Sequence, residues 1–252
     1  MDRRGFLRTG AGGVAFAMLP LVGCSTDELP PVEQGPGPVA IDVDGTRYEV
    51  RPREHALFVD GRRFGGLGTS AGKLNYPIGI ALAGGLAHVV DCGNHRIQSF
   101  DADGGSVAII GGGELLYPGG IAALGDELLV ADSSHGRIVG FSVTDGRITR
   151  VIGEGTLGAP RGLAVAGDRI FVADPGLRQV LELDRSGVTR RIVGRDWVLP
   201  WDVAADATNV YVADASASEL VVIARNGGRS SISLDVGPRF VSLAADGVLY
   251  TG

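Results

Sequence analysis

Three features of the sequence predict an all-β fold of the β-propeller class, built from four-stranded antiparallel blades. The first is composition. Of 252 residues 41 are glycine and 44% are hydrophobic, with no collagen-like period, so a sizeable core must be joined by many tight turns and short strands. The second is a proline that recurs at Pro77, Pro118, Pro160, Pro200 and Pro238, at intervals of 41, 42, 40 and 38 residues. The third is an acidic residue that closes an apolar run in four of these intervals ("VVD", "VAD", "VAD", "VAD"), at Asp91, Asp132, Asp174 and Asp214. A third apolar segment follows each ("RIQSF", "RIVGF", "QVLEL", "ELVVI"), then a turn such as "DADGG" or "VTDG", then a fourth segment. Four short strands per repeat of roughly 40 residues, joined by Gly/Asp turns, make one blade.

From the N-terminus, residues 1–23 read as an export segment rather than fold. Arg3, Arg4 and Arg8 form a positive start, and the apolar stretch from Gly10 to Gly23 is interrupted by Pro20 and falls short of the ~20 residues of a membrane span. "DRRGFLR" resembles the twin-arginine export motif, carried here by Arg3 and Arg4. "LVGC" resembles the lipobox of bacterial lipoproteins, which implies cleavage before Cys24 and its acylation with palmitate-type chains. Residues 24–37, the lipidated Cys and a Pro-rich acidic stretch without periodicity, read as a spacer. Ser25 stands where some bacteria place the Asp that retains lipoproteins at the inner membrane, so the expected location is the cell envelope, at the outer membrane.

Residues 38–252 are the expected propeller. The first two strands of the repeat occur five times but the last two only four times, because the last copy ends at Gly252, where the Asp is expected. The segments "VAIDVDGTRYEVRP" and "HALFVDGRRFGG" alternate apolar and polar residues around Asp-Gly turns, and supply strands from the other end of the chain. Ring closure by these N-terminal strands gives five blades. Six is the alternative, because Pro38 to Gly66 is long enough for four very short strands.

The stretch from Tyr76 to Gly112, with Pro-Ile-Gly-Ile, Val-Val-Asp and Gly-Asn-His-Arg-Ile in order, resembles the NHL-repeat family of β-propellers, and the resemblance extends from near Phe64 to the end. Against this background the repeated Asp91, Asp132, Asp174 and Asp214 read as structural: a carboxylate at a strand end accepts backbone N–H groups of the loop turning outward. Arg96, Arg137 and Arg178 read as partners of those carboxylates or as packing stems. His95 and His135 are expected at equivalent positions of consecutive blades, and Cys92 as an inert buried thiol.

The residues after each repeat proline vary while the scaffold repeats, so Arg161, Trp201, Asp202, Arg239 and Phe240 form the candidate binding rim, suited to an anionic or aromatic group. A net charge of −6 argues against a nucleic-acid partner. The resulting expectation is a lipid-anchored binding or scaffolding module for a protein, peptide or glycan, with no cofactor and no metal. The alternative class is a propeller enzyme, because NHL-like propellers resemble metal-dependent lyases and lactonases. A catalytic zinc site needs about three protein ligands, and the four histidines, His55, His88, His95 and His135, are not spaced to meet at the ring axis. Nothing resembles a Gly-x-Ser-x-Gly elbow.

Overall fold

The computed structural model describes the backbone of residues 7–9 and residues 32–194, 196–245 and 247–252. They form six four-stranded sheets. Blade 1 comprises Val39–Ile41, Arg47–Arg51, Ala56–Val59 and Arg62–Gly65, and blade 2 comprises Pro77–Ala83, Leu86–Asp91, Arg96–Phe100 and Ser106–Ile110. Blade 3 is Pro118–Leu124, Glu127–Asp132, Arg137–Ser142 and Ile148–Ile152; blade 4 is Gly162–Ala166, Arg169–Asp174, Gln179–Leu183 and Thr189–Ile192; blade 5 is Pro200–Ala205, Asn209–Asp214, Glu219–Ala224 and Arg229–Ser233. Blade 6 pairs Val241–Leu243 with Leu249–Thr251 and is completed from the other end of the chain by Val32–Gln34, with Leu7–Thr9 beside it. Each first strand contacts that of the next blade, and the sixth contacts the first, so the ring is closed.

The six-bladed alternative is therefore the one formed. The N-terminal region does two things where the five-blade count assigns it one: Val39–Gly65 is a blade of its own, and Val32–Gln34 is the closing strand. That strand runs parallel to Leu249–Thr251, with Val32 opposite Leu249 and Gln34 opposite Thr251. Apart from Leu7–Thr9, which lies in the segment 1–23 that the sequence pattern assigns to export, the described part of the ring begins at Val32 and takes in part of the segment 24–37 assigned to the spacer. Arg3, Arg4 and Cys24 lie outside the described residues.

Burial explains the sequence pattern of the strands. Second strands are sandwiched between neighbouring blades on both faces, so "LLVAD", "IFVAD" and "VYVAD" are continuous apolar runs rather than alternating ones. Val130, Ala131, Ile170, Phe171, Val172, Tyr211 and Val212 are all fully buried. Fourth strands form the rim of the disc, and Thr189–Ile192 is exposed throughout.

The repeated Asp residues are buried and bonded to backbone amides, with a donor set that differs from the sequence expectation. Asp174 accepts the N–H groups of Gly158 and Ala159 at 2.8 and 2.9 Å, and Asp214 those of Val198 and Leu199 at 3.0 and 2.7 Å. Asn75 and Leu116 donate to Asp91 and Asp132 in the same way. These donors lie in the connection arriving from the preceding blade; the loop turning outward contributes Leu177 N–H to Asp174. A charged acceptor bonded by backbone amides at ~1.5–3 kcal/mol per bond fixes where each blade begins. Arg96 and Arg137 pair with Asp91 and Asp132 at 2.8 and 2.9 Å. Arg178 instead donates to the Trp197 carbonyl, because it occupies the left-handed turn position (φ 54°) one residue earlier in the repeat.

Register corrects two further expectations. Val241 pairs with Thr251 as Val203 pairs with Val212, so Gly252 matches Ala213 rather than the Asp. His95 has φ 54° and follows the turn Cys92–Asn94, whereas His135 lies within the turn Ser133–His135. His135 therefore matches Asn94, and both bond the blade's Asp, at 2.8 and 2.9 Å. The true equivalent of His95 is His55: each accepts at Nδ1, at 3.0 Å, the N–H of a tyrosine in the connection to the next blade, Tyr117 and Tyr76 respectively.

Candidate functional site: the mouth of the central channel

First strands surround the axis, and a cavity of about 910 Å³ lies between them. Its two ends differ. At the end where the first strands leave the axis, Leu82, Val165, Ala205 and Leu243 line it; at the end where they enter, Arg161, Trp201, Asp202 and Arg239 do, with Tyr76 and Arg53.

The Pro-x-Gly motif builds this mouth. Pairing shifts register between Pro77 and Gly79, and again between Pro200 and Asp202, so the residue between them is an unpaired bulge whose side chain is re-aimed. Trp201 occupies that bulge. The motif glycine allows inner strands to approach: a Cβ on Gly120 would sit 2.7 Å from the backbone N of Leu163 in the next blade, and one on Gly162 would strike Asp202. Blade 5 has Asp202 at this position. Its carboxylate reaches across to accept Val241 N–H of blade 6 at 3.0 Å while also accepting its own neighbour Val203 N–H at 2.9 Å. Blade 6 has Phe240, which is buried against Val39, Ala244 and Tyr250. Phe240 also lines the cavity.

The other four predicted rim residues come together. The guanidinium carbon of Arg161 lies 4.2 Å from the centre of the Trp201 ring and that of Arg239 5.8 Å. Among the described residues no carboxylate makes an ion pair with either arginine. Burial pulls the Arg161 pKa below its ordinary value and Arg239 adds to this by repulsion, while Cys92, Asp202 and Tyr76 oppose it. Burial pushes Asp202 up to about 7, against the backbone bonds from Val241 and Val203 and the attraction of Arg161. A mouth whose arginines outnumber its carboxylates suits an anionic ligand.

Cys92 is buried, with its thiol pushed up by burial, and it packs among Val90, Ile97 and Ile121. His88 is fully buried, its ring nitrogens engaged by Ser99 Oγ and the Ala83 carbonyl, and burial lowers its pKa. Each of the four histidines is engaged by its own or the adjoining blade. Among the described residues no three His, Cys, Asp or Glu side chains converge as a metal site would require.

Arg51 was missed in the sequence reading. It stands where later blades carry the Asp, stacks 3.9 Å over Phe58 and pairs with Glu49 at 2.7 Å. Aligning "YEVRP" with "HVVDC" exposes the substitution.

No protein-family model matches the chain. A stretch of 66 residues, 26% of this chain, is 44% identical to the RING finger protein nhl-1 of Caenorhabditis elegans and corresponds to 6% of that protein's length. The fold is similar to a crystal structure of a nidogen/laminin complex, with a TM-score of 0.67 at 19% identity over 77% of this chain and 78% of that one. It is also similar to virginiamycin B lyase from Staphylococcus aureus, with a TM-score of 0.64 at 15% identity over 81% and 72%, and to a streptogramin B lyase, with 0.61 at 15% over 86% and 90%. The fold is a β-propeller, similar over one stretch to an NHL protein; structural identities of 15–19% speak to fold alone.

Proposed function

We propose that this protein is a lipid-anchored propeller of the bacterial envelope that captures a protein, peptide or glycan partner at its channel mouth. The observation that carries this reading is the pair Arg161 and Arg239 over one indole, without ion-pair partners among the described residues, at the opening of the central cavity. The likeness to a propeller from a nidogen/laminin complex supports it, since a ring of this shape serves there within a protein assembly. The anchor rests on the lipobox-like "LVGC" and the twin-arginine-like start. Seven residues, Ser25 to Pro31, then separate Cys24 from the ring, a reach of about 25 Å at most. Val32 joins beside Leu249, at the face opposite the mouth, so the mouth points away from the membrane.

Affinity capture from envelope extract tests the reading. The Cys24→Ala protein is expected in the soluble fraction and retains its partner, while Trp201→Ala loses it with an unchanged melting temperature. A Cys24→Ala protein that still sediments with membranes removes the anchor, and capture unaffected by Trp201→Ala removes the mouth as the site.

A further inference from the structure

If the mouth is where a partner binds, as proposed above, the chemistry of the channel behind it narrows the class of ligand. Beneath the charged mouth the wall is apolar: Ile80, Leu82, Val165 and Leu243 line the cavity and each keeps part of its surface open to it. An apolar wall of this kind releases water when an apolar group enters. At the mouth, Arg161 has lost part of its hydration to burial, and stacking on Trp201 presents a planar fork whose N–H groups match a carboxylate. Of the charged side chains lining this end, Arg51 is paired with Glu49, and Glu54 and Asp202 stand against Arg53, Arg161 and Arg239, so the mouth carries about one net positive charge, suited to a monoanion rather than a phosphate dianion.

We propose that the channel binds a carboxylate carried on an apolar body, the carboxylate held by Arg161 and Arg239 and the apolar part passing Trp201 into the channel. Such a group is either a free amphiphilic acid or the carboxyl terminus of a polypeptide ending in apolar residues. The two share one recognition chemistry, and the test separates them.

Only two tryptophans are present. Trp197 is buried, whereas Trp201 lines the cavity, so intrinsic fluorescence reports on the mouth. The purified protein is titrated with decanoate below its micellar concentration, with acetate, with decyl phosphate and with decyltrimethylammonium, and stoichiometry is taken from calorimetry. Decanoate is expected to bind at a single site and shift the Trp201 emission, at least tenfold more tightly than any of the other three. Arg161→Gln is expected to weaken decanoate at least tenfold with an unchanged melting temperature. Arg239→Gln, on an exposed residue, does the same should the Arg161 variant lose stability. Equal binding of decanoate and decyltrimethylammonium, or decanoate affinity unchanged in both variants, overturns the proposal. A peptide ending in free Leu that displaces decanoate while its amidated form does not identifies a polypeptide end; failure of both to displace bound decanoate identifies a free acid. If partner capture still depends on Trp201 but no carboxylate binds, this inference falls and the binding reading stands.

Discussion

Asp202 shows how one substitution in a repeat turns architecture into a site. Its counterparts Gly120 and Gly162 allow close approach of inner strands, and Asp202 replaces that approach with a hydrogen bond to Val241 N–H. The charged and polar groups around it are Arg161 from blade 4, the Val241 amide from blade 6 and its own Val203 amide. With a folded pKa of about 7 against 3.8 for the ordinary carboxyl, the folded state binds more protons than the unfolded one between these values. Stability contributed by the protonated form is thus complete below about 4, declines as pH rises and is gone above about 7. Asp202→Asn, which keeps an acceptor without the charge, is expected to melt higher than the parent at pH 8 and to flatten the decline from pH 5 to 8. Parallel pH-melting curves that never converge at low pH would contradict this. His55 and His95 make a different point. Their pairing was hidden because it depends on which turn residue adopts positive φ, and a one-residue offset in turn composition moves a histidine from bonding the next blade to bonding the local Asp.

At the scale of the element, most of blades 2 to 5 was legible from the spacing of Pro77, Pro118, Pro160 and Pro200 and from the strand-ending Asp residues. Blade 1 lacked both marks, since it has Arg51 at the Asp position and no Pro-x-Gly, so its strands showed only as alternating segments. The mouth was legible as variation against a repeating background, although the burial of Phe240 beside the cavity follows from tertiary packing that a rim assignment ignores. Closure by a three-residue parallel strand was not legible, because Val32–Gln34 is too short to carry a period. A chain beginning at Val39 leaves Leu249–Thr251 an unpaired edge and exposes the partners of buried Val32. The loss is roughly 3 kcal/mol from ladder bonds and burial, or about 6–12 °C at this length. Equal melting temperatures for chains beginning at Val32 and Val39 would show that the strand does not close the ring.

At the scale of the whole molecule, six blades divide labour between scaffold and opening. Buried Asp residues with backbone donors repeat around the ring, while Arg161, Trp201 and Arg239 occur once each at the mouth, and this separation is the central claim. Paired melting and partner-binding measurements on Arg161→Ala and Asp174→Ala test it most directly. Arg161→Ala is expected to leave the melting temperature within a degree or two and weaken binding by ~1–3 kcal/mol, as a hot spot does. Asp174→Ala is expected to destabilise the ring by at least ~3 kcal/mol through loss of the Gly158, Ala159 and Leu177 bonds, with binding intact in the folded fraction. The opposite result, a stable Asp174→Ala protein that no longer binds beside an Arg161→Ala protein that binds normally, would place function in the repeat and contradict the account.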